Sequence, residues 1–480
     1  MEYTFPKDFK FGIATSAFQI EGASNIDGKG ASIWDIYCHK PGNVKNDETA
    51  DISCDSYHNW ERDIQMIKEV GINFYRFSIS WPRIFPDGTE KSLNQKGVEF
   101  YDKLINKLIE EAIEPVVTIF HWDLPQALQD MGGFLDSAIS EHYKDYANFL
   151  FSHFGDRVKT WITVNEPLSV AQYGHCGQRE KHAPGNFSDN CEWTMYLSAQ
   201  RLLQCHLKAA KLYNEKYRSK QNGKIGITLS GCWYFPKTDS DEDQQASERA
   251  FQFSWGWFAN PIFSETGDYP QIMKDRVKEI SINYQMRVKS RLPEFTNDEI
   301  QDLKNSADFL GINYYFSLRV CNRKIENVDH LKKYTRMTDV GVILDYDPAW
   351  KIINGPSKWL SNVPEGLGNL LQKLSKEYKN IPILITENGA MDSEGEGLND
   401  TSRIQYLSGH LAEVSKAIKN GINLIGYTVW SLMDNFEWSE GYSTKFGLFH
   451  VDFNTKEKTR TPKKSVEFYS NLIKTKYLRF

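Results

Sequence analysis

Short apolar runs alternate with amphipathic helical stretches eight times along this chain, and that alternation leaves few folds open to it. The run from Phe11 to Gln19 reads as a first strand. Trp60, Ile64, Ile67 and Val70 then fall at helical spacing and stop at Gly71, after which Asn73 to Ile79 is strand-like. Tyr101, Leu104, Ile105, Leu108 and Ile109 mark the next helix, which leads to a strand-like run from Glu114 to Asp123. A helix around Tyr143 to Phe154 feeds a strand ending at Glu166, and Tyr196 to Tyr217 precedes Lys224 to Ser230. Glu299 to Leu303 precedes Asp308 to Tyr315, Leu367 to Tyr378 precedes the strand of Glu387, and Leu407 to Lys419 precedes Asn423 to Leu432.

Near-continuously apolar strands separated by helices imply a parallel sheet covered on its outer face. Eight of them predict an α/β chain with a single (β/α)8 barrel and long loops at the C-terminal strand ends. Length alone, 480 residues, would allow two or three domains. No Pro/Gly/Ser-rich linker divides the chain, so one domain over residues 1–480 is expected, with surface loops on the mouth side after strands four, six and eight.

Two of these strands end in an acid. Ile383 to Gly389 is an apolar run that delivers Glu387 to an Asn-Gly turn, and Thr160 to Pro167 presents Glu166 just before a proline that forbids the strand from continuing. Active sites of such barrels lie at the C-terminal strand ends, and here those ends offer Gln19, Arg76, His121 with Trp122, Asn165 with Glu166, Trp233, Asn313 with Tyr315, Glu387, and Trp430 followed by Glu437-Trp438. Taken singly, each is explained as a satisfied core residue. Eight convergent ends are not.

Composition narrows the partner. The 57 basic and 63 acidic residues nearly cancel and form no basic stripe, which argues against nucleic acid and against a polybasic membrane anchor. Aromatic residues make up 14% of the chain, with 13 Trp, which suits a site that recognises apolar ring faces. A sugar presents such faces on its C–H side and hydroxyls at its edge, and two carboxylates astride its ring supply the chemistry of glycoside cleavage. A gap of about 5 Å between them would mean retention, and a wider one inversion. The HExxH, GxSxG and P-loop patterns of other hydrolases and nucleotide enzymes are missing.

The N-terminal Met1 to Asp8 has no apolar signal region and no run is long enough to cross a bilayer. A cytoplasmic protein is expected if Met1 is the native start, and a secreted one if a signal peptide was removed. The seven cysteines are scattered without CxxC spacing. Cys176 and Cys191 flank a loop and are able to pair in an oxidising compartment, but buried free thiols are the expectation. Asn186-Phe187-Ser188 and Asn399-Asp400-Thr401 fit the glycosylation pattern, which matters only in a secreted protein.

Thr163-Val164-Asn165-Glu166-Pro167 and Ile385-Thr386-Glu387-Asn388-Gly389 resemble the two signatures of glycoside hydrolase family 1, the retaining β-glucosidases and their relatives. The resemblance spans nearly the whole chain and includes Gln19-Ile20-Glu21-Gly22, Tyr75 to Trp81, His121-Trp122-Asp123-Leu124-Pro125 and Trp430 to Trp438. Cys54 to His58 and Gly441-Tyr442-Ser443 are most similar to the insect members.

The resemblance implies a retaining β-glucosidase acting on non-reducing terminal β-D-glucosyl units, with β-fucosides and β-galactosides as further substrates. It also implies a small-molecule glycoside as partner, no metal or organic cofactor, and a monomer or homodimer. Glu387 would be the nucleophile and Glu166 the acid/base. Arg76 and Tyr315 would hold Glu387 ionised and oriented, and Asn165 would meet the sugar 2-hydroxyl. Gln19, His121, Glu437 and Trp438 would grip the other hydroxyls over Trp430. Trp359 would stack the leaving group, with Trp122, Asn313 and Phe446 completing the substrate contacts. Plant thioglucosidases have glutamine at the acid/base position, so Glu166 favours an O-glycoside; insect thioglucosidases keep both acids, so S-glucosides, like transglycosylation or sugar binding without hydrolysis, stay as alternatives. Trp193, Phe187, Tyr173 and Arg319 are candidates for the rim, and Arg179, Lys181 and His182, in the loop from Gly174 to Asn190, read as solvated charges.

Overall fold

A computed structural model describes residues 2–177, 181–323 and 336–479. Its centre is a closed barrel of eight parallel strands: β1 (Lys10–Ala14), β2 (Phe74–Ser78), β3 (Glu114–Phe120), β4 (Thr160–Asn165), β5 (Lys224–Ser230), β6 (Phe309–Asn313), β7 (Ile383–Asn388) and β8 (Leu424–Trp430). Neighbours in sequence are neighbours in space, and β8 pairs with β1, placing Trp430 opposite Ala14. Before each of β2 to β8 runs a helix on the outside: α1 (Ser56–Val70), α2 (Gln95–Glu110), α3 (Ile139–Phe154), α4 (Cys191–Leu212), α5 (Asn297–Leu303), α6 (Pro364–Glu377) and α7 (Thr401–Lys419). The predicted (β/α)8 architecture is the observed one. Among the described residues no helix is long and apolar enough to cross a membrane.

The barrel interior is layered. Phe74, Val116, Ile162, Phe309 and Leu384 form an apolar plug, all near the N-terminal ends of their strands. Two residues further along come Arg76, Thr118 and Thr386, so the strand period of two puts a hydrogen-bonding layer directly above the plug. Within it, Arg76 Nε donates to Thr118 Oγ1 at 3.2 Å and Thr228 Oγ1 donates to Thr386 Oγ1 at 3.2 Å. The site therefore stands on a polar floor over a dry base.

Three expectations need correction. The first strand stops at Ala14, and Gln19 sits in a helical turn, Ala17–Ile20, because the chain must bend across the mouth to reach the end of β8. Trp233 does not end a barrel strand: it begins Trp233–Pro236, which joins Ser317–Asn322 and Val342–Asp345 in a separate three-stranded sheet. The segment after β5 is also a long excursion, carrying the helices Asp241–Phe251, Trp257–Phe263 and Gln271–Glu279. Its apolar residues alternate with helical period, and periodicity says nothing about which barrel gap an inserted helix covers.

Candidate active site

Glu387 is delivered by β7 and is almost completely buried. Gly389 ends the strand against β8, where a Cβ would lie 1.9 Å from the Trp430 carbonyl, so only glycine allows the turn to close. Arg76 Nη1 donates to Glu387 Oε1 at 2.6 Å and the Tyr315 hydroxyl donates to Oε2 at 2.7 Å. Burial above all, with the neighbouring Glu166 charge, outweighs the downward pull of the Arg76 guanidinium and the Tyr315 hydrogen bond, so the Glu387 carboxyl is raised to about 7.

Glu166 follows β4 in left-handed backbone geometry (φ 50°), and Pro167 opens the helical turn Pro167–Ser169. Its Oε1 accepts from Asn313 Nδ2 and its Oε2 from the Ser169 hydroxyl, both at 2.7 Å. The two acids are tied together by Asn165. Its Oδ1 accepts from Arg76 Nη2 at 2.6 Å and from Asn313 Nδ2 at 3.1 Å, and its Nδ2 faces His121 Nε2 at 3.2 Å. Since an amide nitrogen only donates, His121 accepts there and carries its proton on Nδ1, which has no hydrogen-bond partner among the described residues. Burial, with Arg76 nearby, holds the His121 pKa well below the usual range, so the ring is neutral.

The remaining predicted contacts fall into two groups. Gln19 Nε2 donates to Asn435 Oδ1 (3.1 Å) and to the Phe436 carbonyl (3.0 Å), and lies 3.4 Å from Glu437 Oε2. Burial and the charges of Glu387, Glu166 and Glu440 push the Glu437 carboxyl up to about 8. Trp430 stacks on His121 with ring centroids 5.9 Å apart, and Trp122 donates through Nε1 to the Asn165 carbonyl at 3.0 Å. On the other side, Trp359 and Phe446 pack at 6.0 and 5.9 Å from the Tyr315 ring and 6.2 Å from each other, making an aromatic wall beside Glu387.

The rim candidates do not gather in this way. Phe187 stacks on His175, Trp193 lies exposed in the first turn of α4, and Tyr173 lies half-buried in the turn Val170–Gly174. Arg319 pairs with Asp345 and Asp347 on the outer three-stranded sheet. Arg179 falls outside the described residues. His182 is not a solvated charge: it is buried between Trp34 (5.0 Å) and Trp122 (4.7 Å), and burial pulls its pKa down to about 4, leaving it neutral. Trp34 and Trp122 both reach Trp438, at 4.6 and 4.5 Å. The loop that carries His182 is closed by a Cys176–Cys191 disulfide, so the expectation of free thiols fails for this pair and stands for buried Cys38, Cys54 and Cys205.

Sequence reasoning missed Ser169, Trp34 and His182. A hydroxyl three residues after an acid, in a Pro-initiated helical turn, is a readable signal for Ser169. Trp34 and His182 reach the site only through tertiary packing.

The barrel architecture agrees with that of other proteins. The model of the family described as glycosyl hydrolase family 1 matches residues 1–478. Myrosinase 1 of Brevicoryne brassicae is 45% identical over 479 residues, covering 99% of each chain. The human cytosolic β-glucosidase is 40% identical over 476 residues, 98% of each. A solved rice β-glucosidase mutant, in a covalent complex with Glc, superposes with a TM-score of 0.92 at 38% identity, covering 98% of this chain and 100% of that one.

Proposed function

This chain belongs to glycosyl hydrolase family 1, and from that premise we propose that it is a retaining β-glucosidase that releases non-reducing terminal β-D-glucosyl units from small glycosides. The observation that carries the reading is the opposite treatment of the two acids. Glu387 is clamped between a guanidinium and a phenol, which orient a carboxylate for attack, while Glu166 accepts from the neutral donors Asn313 and Ser169 and so can exchange a proton.

In the first half-reaction a Glu387 oxygen bonds to C1 as the C1–O bond breaks, and Glu166 gives its proton to the departing oxygen. In the second, Glu166 takes a proton from water, whose oxygen bonds to C1 as the glycosyl–Glu387 bond breaks. The neutral His121, with its free Nδ1–H, together with Gln19, Glu437 and Trp438, would hold the ring hydroxyls over Trp430. Asn165, fixed by Arg76, is positioned for the 2-hydroxyl. Trp359 and Phe446 flank the leaving group.

The test is an aryl β-glucoside assay of wild type, Glu387→Gln and Glu166→Ala, the last with added azide. Turnover in wild type, loss in Glu387→Gln and rescue of Glu166→Ala as a β-glucosyl azide support the roles and retention together; a wild type inactive on aryl glucoside, galactoside and fucoside overturns the reading. A second reading, cleavage of S-glucosides, is favoured by the 45% identity to an aphid myrosinase, and a higher kcat/KM on a thioglucoside than on the matched O-glucoside selects it. The Cys176–Cys191 disulfide supports an oxidising compartment.

A further inference from the structure

The two oxygens of Glu166 have partners of different kinds. Asn313 Nδ2 donates to Oε1, and the orientation of that amide is fixed because the same nitrogen also donates to Asn165 Oδ1 at 3.1 Å, an oxygen that Arg76 holds as an acceptor, while the Thr386 hydroxyl donates to Asn313 Oδ1 at 2.7 Å. An amide nitrogen cannot accept, so Oε1 is held as an acceptor in every state. Oε2 faces the Ser169 hydroxyl, which both donates and accepts. A second hydroxyl, Ser230 Oγ at the end of β5, lies 3.4 Å from Ser169 Oγ. Ser169 is buried, and its backbone N–H is bonded to the Glu166 carbonyl at 3.0 Å, so the side chain cannot drift from the acid.

We propose that Ser169 is a positioning residue that turns its O–H between Glu166 Oε2 and Ser230 Oγ, making Oε2 the oxygen that carries the catalytic proton. The proposal rests on the reading of Glu166 as acid/base. With the Ser169 O–H turned to Ser230, Oε2 is free to hold a proton. That proton passes to the glycosidic oxygen as the C1–O bond breaks, the bonding pair leaving with the aglycone. The Ser169 O–H then returns to the new carboxylate. In the second half-reaction Oε2 takes a proton from the attacking water, C1 exchanges its bond to Glu387 for one to that water oxygen, and Ser169 turns back.

The charged and titratable groups facing Glu166 are Glu387 on β7, Glu437 beyond β8, the Tyr315 phenol beyond β6, and, through Asn165, Arg76 on β2 and His121 beyond β3. Substituting a serine alters none of them. A shift confined to one limb of the pH profile therefore reports on the hydroxyl.

The experiment is the pH profile of kcat/KM on phenyl β-glucoside, whose leaving group needs protonation, for wild type, Ser169→Ala, Ser169→Thr and Ser230→Ala, with Glu166→Gln as control. Loss of the donor in Ser169→Ala favours the protonated acid and moves the basic limb up by about 0.5–1 pH unit. Loss of the alternative acceptor in Ser230→Ala moves it down. Ser169→Thr keeps the hydroxyl and stays near wild type, and the acid limb stays in place in all three serine variants. Unmoved basic limbs, or shifts of the same sign in Ser169→Ala and Ser230→Ala, overturn the proposal, as does a Ser169→Thr variant as impaired as Ser169→Ala with an unshifted profile. A Glu166→Gln variant that keeps the basic limb overturns the acid/base assignment instead. If Ser169→Ala does not fold, the downward shift in Ser230→Ala decides the matter alone.

Discussion

Arg76 reaches Asn165 Oδ1 through Nη2 at 2.6 Å while its Nη1 sits on Glu387 at the same distance, so one buried guanidinium sets the spacing between the strand that carries one acid and the strand that precedes the other. The guanidinium is planar with a fixed fork, and neither bond bends without weakening the other. The two acids are thereby linked through one guanidinium, by way of Asn165.

Tyr315→Phe removes the phenol that donates to Glu387 Oε2 and that holds the carboxyl down. The acid limb of kcat/KM is expected to move to higher pH by about one unit, with kcat falling roughly 10- to 100-fold and the fold unchanged. A pH-rate profile on an aryl β-glucoside reads both; an acid limb left in place contradicts the role.

Glu166→Gln acts in the other direction. The Glu166 charge is one of the causes that raise the Glu387 carboxyl, so its removal moves the acid limb to lower pH. The measurement needs 2,4-dinitrophenyl β-glucoside, whose leaving group departs without a proton, and single-turnover burst kinetics to isolate glycosylation from the slowed second step.

Stability carries a related signature. Glu387 and Glu437 are raised from the ordinary 4.5 to about 7 and about 8, so the folded protein holds protons that the unfolded chain releases. Their contribution is intact below pH 4.5 and is lost as pH rises through the folded values. Glu437→Gln, which cannot ionise, should be more stable than wild type at about pH 8.5, by on the order of 2 kcal/mol, and should gain little at about pH 4.5. Thermal melts of both proteins at the two pH values check this, and an equal Tm difference at both rules it out.

Asp339 tests the scaffold away from the chemistry. It forms an ion pair with Arg291 in which both side chains are fully buried, and it also accepts from the Tyr196 hydroxyl at 2.5 Å. Asp339→Asn leaves the guanidinium buried beside a neutral group, at a cost of about 3–5 kcal/mol. Chemical denaturation should show that loss while KM on an aryl glucoside is unchanged; a changed KM with unchanged stability would place Asp339 in the site instead.

The strand-helix alternation, the barrel class and the two strand-end glutamates were legible in the sequence because each is a local pattern. A strand repeats every two residues and a helix every 3.6, so apolar positions announce the element and its buried face. His121, Asn165 and Asn313 were legible too, since a barrel brings every C-terminal strand end to one mouth. Gln19 was recognised but put on the wrong element, because an apolar run that continues past Ala14 looks the same whether it stays extended or turns.

What tertiary structure decided is which distant groups meet. Arg76 and Glu387 are 311 residues apart, and no periodicity encodes their bond; it exists because β2 and β7 face each other across a closed ring. Tertiary packing likewise sets His182 against Trp122 and Trp34 against Trp438, and Cys176 is bonded to Cys191, where scattered spacing suggested free thiols. Sequence determined the elements and their polar ends, since those follow from local periodicity, whereas the charges felt by Glu387 and Glu437 follow from burial and from neighbours that only the closed barrel supplies.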